Sequence, residues 1–141
     1  MNLNLEDFLE QYMGQKGIKY SVVSYKENKE LKEIIDRFLR RNKNKISMKA
    51  CYHNSALMMK ADPRIIYCEG YITLGIGGGI PIEHAWNEFE GEHFDITSEI
   101  LFEGDIGKGE NEYIELYKTS DYEEAKKAVN SVVRPYSRRK K

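Results

Sequence analysis

Three residue types that together transfer acyl groups stand in chain order in this sequence: Cys51, His84 and Asp95. A thiolate attacks a carbonyl, an imidazole shuttles the proton, and a carboxylate fixes the imidazole tautomer and steadies its charged form. Cys51 falls at the start of a helical pattern that runs to about Lys60, with Ala56, Leu57, Met58 and Met59 following it. Asp62–Pro63 ends that pattern, because a residue before proline disfavours the α region. A cysteine at a helix N-terminus sits near the positive end of the dipole and near free backbone N–H groups. Both favour a charged nucleophile, and the N–H of Cys51 itself is a candidate donor to an oxyanion.

The two partners must be positioned by strands. Residues 80–89 and 92–97 read as a hairpin around Glu90–Gly91, where glycine suits the second position of a type I′ turn. A two-residue turn there sets Phe89 opposite Glu92. His84, Trp86, Asp95 and Thr97 then share one face, with Asp95 a diagonal neighbour of His84. On this reading Asp95 is a strand acid rather than a cap.

The stretch carries a resemblance. Cys51 opening a helix, Glu69-Gly70-Tyr71, the run from Glu83 to Phe89 with His84-Ala85-Trp86, and Asp95-Ile96-Thr97 resemble the core of the transglutaminase-like superfamily of papain-type thiol enzymes. About a third of the chain is covered, and small bacterial and phage members are the nearest in kind. Many relatives place a glycine before the nucleophile, where this chain has Ala50. The resemblance implies a papain/transglutaminase-like core. It also implies a cysteine hydrolase or acyltransferase (amide hydrolase, protease, deamidase or transglutaminase-like) working through a thioester, with a protein, peptide or small amide as substrate. The alternative is an inert copy of the same fold, kept as a protein-binding module in host interaction.

Other residues near this series carry weaker signals. Trp86, Asn54, Tyr71 and Glu69 are candidate substrate contacts; Trp86 suits core packing beside the site better, Asn54 suits an exposed helix position, and Glu69 suits an exposed position or an ion pair with a lysine. His53 points away from Cys51 on a helix, and His93 is the alternative base if the hairpin slips by one residue. Cys68 shares an apolar strand face with Ile66, Ile72 and Leu74 and reads as structural. Cys51, His53, Cys68, His84 and His93 lack the spacings of zinc motifs, so neither metal nor other cofactor is expected. Gly75–Gly79 lacks the Lys-Ser/Thr and helix of a phosphate loop, and is left as a lid or a plain connection.

The rest of the chain has to hold these elements. Asn4 caps a short helix with Leu5, Phe8, Leu9 and Tyr12, closed by Gly14 and Gly17; residues 18–25 suit a strand; 27–41 form an amphipathic helix with Leu31, Ile34, Ile35, Phe38 and Leu39 on one stripe. A strand over 65–74, another over 113–118, and a helix opened by a Ser120-to-Glu123 capping box complete the order, with Pro135 past that helix's end. The expected class is α+β: N-terminal helices packed on a small antiparallel sheet. At 141 residues the chain suits one domain, 1–133, followed by a basic tail, 134–141, expected to be disordered. With 40% hydrophobic residues it can build a core. A net charge of −1 argues against nucleic acid as a partner beyond weak attraction to the tail. No apolar run is long enough to cross a membrane, the N-terminus lacks a secretory pattern, and two cysteines make no disulfide scaffold, so a cytoplasmic, reducing setting is expected.

Overall fold

The computed structural model describes residues 7, 9–11, 14–42, 45, 50–73, 81–101 and 112–139. The expected Asn4 cap and the Gly75–Gly79 loop lie outside them. Five strands form one antiparallel sheet in the order β1-β5-β2-β3-β4: β1 Ile18–Tyr20, β2 Ile65–Thr73, β3 Pro81–Phe89, β4 Glu92–Phe94 and β5 Tyr113–Thr119. The helices that accompany it are α1 Lys29–Asn42, α2 Cys51–Met58, α3 Ile96–Leu101 and α4 Tyr122–Arg139. The α+β class and the antiparallel sheet are therefore as the sequence suggests. Among the described residues, no helix is long and apolar enough to cross a membrane.

The sheet curls until its two edges meet. Val22, just past β1, bridges in parallel to His93 of β4, and its neighbour Val23 donates its N–H to the His93 carbonyl at 2.9 Å. Tyr20 stacks on the His93 ring at 3.7 Å. The expected strand over 18–25 is thus cut short. Ser24 turns the chain into a 3-10 helix, Tyr25–Glu27, by accepting the Lys26 N–H. Glu99 of α3 holds that turn, accepting from the Ser24 hydroxyl and from the Tyr25 N–H.

Burial divides by strand parity. On the inner face Val22, Cys68, Ile72, Trp86 and Tyr113 form one apolar cluster. On the outer face Ile65 and Phe89 pack with Phe94, Ile96, Met58, Tyr25 and the α1 residues Leu31 and Ile35. The α1 stripe follows from its helical spacing, and Asn28 caps it by accepting the Leu31 N–H at 3.0 Å. Each such apolar side chain contributes about 1.5–3 kcal/mol by leaving water.

Two ends differ from expectation. Asp121, not Ser120, caps α4: its carboxylate accepts the N–H groups of Glu123 and Glu124. A carboxylate so placed satisfies two orphan donors and favours the helix's positive end. The same helix runs through Pro135 to Arg139, so most of the basic tail belongs to it. A proline inside a helix loses one hydrogen bond and crowds the previous turn without necessarily ending the helix.

Candidate active site

The hairpin that carries the histidine has the register expected of a two-residue turn. Phe89 pairs with Glu92, Glu88 with His93 and Asn87 with Phe94. Glu90 and Gly91 take φ of 49° and 87°, the left-handed values that a type I′ turn needs. On the side away from β2, β4 covers β3 only from Asn87 to Phe89. His84 lies beyond that cover.

Asp95 arrives there by a different route from the one expected. β4 stops at Phe94, and Asp95 is the N-cap of α3 rather than a strand acid. Its Oδ1 accepts the Ser98 N–H at 3.1 Å, and its carbonyl accepts the Glu99 N–H at 3.0 Å. The physical reason is local. A short acid can satisfy the free donors of a first turn, and here that outweighs the β preference of Phe94, Ile96 and Thr97. Thr97 is accordingly helical, and its hydroxyl accepts from Asn54 Nδ2 at 3.0 Å.

The cap leaves Asp95 Oδ2 free to gather three donors: His84 Nε2 at 2.7 Å, Tyr113 O–H at 2.6 Å and Ser98 O–H at 2.9 Å. Asp95 is 1% exposed. Burial alone would raise its pKa, yet the His84 charge and the hydrogen bonds from His84, Tyr113 and Ser98 hold the carboxyl below its usual range. Burial likewise would depress His84, but the Asp95 charge and hydrogen bonding with Asp95 and Cys51 outweigh it and raise the imidazole pKa. Since Nε2 faces Asp95, Nδ1 is the nitrogen left for Cys51. The structure therefore brings Cys51, His84 and Asp95 together.

The sign of the linkage gives a first prediction. The folded protein keeps the His84 proton above the ordinary histidine value of 6.5, toward about 10. This contribution to stability is fully present below pH 6.5 and is lost as pH rises through the folded value. Denaturant unfolding at about pH 6.5 and about pH 9.5 should give a lower midpoint at the higher pH. That difference should narrow in His84→Gln.

Cys51 opens α2 as expected, after Ala50, which offers no side-chain cap. The first N–H groups of the helix are thus left for other acceptors. The thiol is half-buried. Asn87 ties α2 to the sheet by donating to the Ser55 carbonyl at 2.9 Å and the Ile66 carbonyl at 3.1 Å.

The remaining candidates separate by exposure. Glu69 and Tyr71 are half-buried and stand with Glu83 around Tyr52, whose ionisation burial, Cys51 and these neighbours all oppose. Tyr67 donates to Glu69 at 2.6 Å. Trp86 and Asn54, by contrast, are 0% exposed, and a side chain with no exposed surface does not touch a substrate arriving from solvent. Trp86 packs beside His84 with ring centres 6.4 Å apart. Asn54 holds Thr97, which fixes α2 to α3 next to the cap. His53 is exposed on α2. His93 is buried across Trp86 from His84, accepting the indole N–H at Nδ1 at 2.9 Å. The candidate zinc ligands of the sequence are therefore split: Cys51 and His84 belong to one site, while Cys68 and His93 lie in another cluster with Glu88 and Glu115.

Sequence reasoning missed Tyr113 and Ser98. Ser98 was within reach, since Asp-x-x-Ser followed by Glu is a helix-start pattern. Tyr113 had no signal, because it comes from a strand distant in sequence. No protein-family model, curated protein or solved structure matches the chain.

Proposed function

We propose that the chain is a cysteine-dependent acyl-transfer enzyme of the transglutaminase-like, papain-type kind, acting on an amide or ester carbonyl. What carries the reading is the buried His84–Asp95 pair at 2.7 Å, with Cys51 as the imidazole's second partner at an uncapped helix start. His84 holds the thiol's proton on Nδ1 as Cys51 Sγ bonds to the substrate carbonyl carbon. The oxyanion meets the Cys51 backbone N–H. As the C–N or C–O bond breaks, His84 returns the proton to the leaving group and a thioester remains. Water or an amine then attacks the acyl carbon, giving up its proton to His84; the C–S bond breaks, the product leaves, and Cys51 and His84 again share one proton. Asp95 keeps the imidazole oriented and stabilises its cation throughout. Glu69, Tyr71 and Glu83 form a half-buried to exposed surface around Tyr52, which also neighbours Cys51, and a substrate would arrive there.

Iodoacetamide alkylation tests this directly, with the modified peptide identified by mass. Cys51 should react at pH 6 at least ~10-fold faster than an unperturbed thiol, and His84→Ala should remove that advantage. A Cys51 that reacts like an ordinary thiol in the wild type would sink the enzyme reading in favour of a binding module on the same fold.

A further inference from the structure

Inside the curled sheet, four strands each send one chemically active side chain toward a common point. Cys68 comes from β2, Glu88 from β3, His93 from β4 and Glu115 from β5, with one ligand atom of each within 4.8 Å of all the others. This cluster lies apart from the Cys51 site, with Trp86 between His84 and His93. Two of its buried atoms have no hydrogen-bond partner among the described residues: Glu115 Oε1 and His93 Nε2, in residues 6% and 3% exposed. Cys68 and Glu115 hydrogen-bond each other, but leaving the two remaining atoms unsatisfied costs roughly 1–3 kcal/mol each, which favours an occupant.

We propose that Cys68, Glu88 and Glu115 bind one zinc-like divalent ion, with His93 as the donor that orients Glu88. The charges fit. A thiolate and two carboxylates bring three negative charges; Lys118, 3.4 Å from Glu88, brings one positive charge, and a dication balances the remainder. A thiolate beside carboxylates suits zinc, whereas magnesium and calcium prefer oxygen alone. The role of His93 follows from Trp86. An indole N–H only donates, so His93 Nδ1 is the acceptor and a neutral ring carries its proton on Nε2. That N–H faces Glu88 Oε1 at 3.4 Å, too poorly aligned for a bond without an ion to draw the carboxylate in. Tyr20, stacked on His93, and Lys118 are the other titratable groups at the cluster.

Binding exchanges the Cys68 S–H bond for an S–metal bond and releases one proton. Affinity therefore rises with pH. Ligands on three adjacent strands would also tie β5, β2 and β3 together on the inner face of the curl.

The test is cobalt and zinc titration of the chelator-treated full chain. One equivalent of cobalt should give an intense near-ultraviolet thiolate absorption that zinc displaces, and zinc should raise Tm by about 5 °C. Cys68→Ser should abolish the band, Glu115→Gln should weaken binding at least ~10-fold, and Cys51→Ala should keep both signals. If Cys68→Ser does not fold, the Glu115→Gln titration and the wild-type Tm shift decide. No cobalt band in the wild type, or a band that Cys51→Ala removes, overturns the proposal. Cys51 alkylation is read separately, so either proposal can fail without the other.

Discussion

Asp95→Asn should slow Cys51 alkylation at pH 6 by about 10-fold, with helix α3 still in place. The amide oxygen can take over the Ser98 N–H at the cap, and the backbone carbonyl that accepts from Glu99 is untouched. What disappears is the charge. The amide then has to offer either its oxygen or its NH2 group to a crowd of donors formed by His84, Tyr113 and Ser98. With the NH2 toward Nε2, the imidazole turns to the tautomer that carries its proton on Nδ1. That nitrogen faces the thiol and can no longer take its proton. The His84 pKa, followed by NMR, should fall from its raised value, and stability should drop by about 1–3 kcal/mol. If the Asp95→Asn protein alkylates at the wild-type rate, the carboxylate plays no part in activating the thiol.

Gly70→Ala should be the most damaging single methyl in the sheet. Gly70 pairs with His84 on one side and with Glu115 on the other, at the point where the β2–β5 register shifts. A Cβ there would lie 1.9 Å from the Ile114 carbonyl oxygen and 3.0 Å from its carbon. These are backbone atoms of the neighbouring strand, so no rotamer change relieves the clash, and β5 must move. Tyr113 would move with it and loosen its bond to Asp95. We expect a loss of about 3 kcal/mol or more in denaturant unfolding. A stability within ~0.5 kcal/mol of wild type would mean the strands have slack at that joint.

The sequence made the hairpin register legible because one turn, Glu90–Gly91, fixes every pair after it, and the pairing of Glu88 with His93 follows that count. The helix start at Cys51 was legible from the apolar run that follows it. The helix at Ile96–Leu101 was hidden because Phe94, Ile96 and Thr97 favour strands one by one, while a single capping acid decides the matter in context. Trp86 and Asn54 looked like substrate contacts because sequence shows which face a residue shares but not how deeply that face is covered. The support given by Tyr113 and the grouping of Cys68, Glu88, His93 and Glu115 depend on strand order, and strand order is set by pairings between distant segments.

The meeting of the two sheet edges at Val22 and His93 has a consequence for assembly. β1, early in the chain, pairs with β5, the last strand, while Val22 two residues beyond it bridges to β4. During synthesis the segment around β1 leaves the ribosome long before its partner exists. The β3–β4 hairpin can form by itself, but the seam closes only after β5 has been made and threaded between β1 and β2. Such closure across most of the chain carries a large entropic cost before any contact repays it, which makes it a late and slow event. Tyr113 travels on that same last strand. Asp95, the partner of His84, thus receives its full set of donors only when the final strand docks.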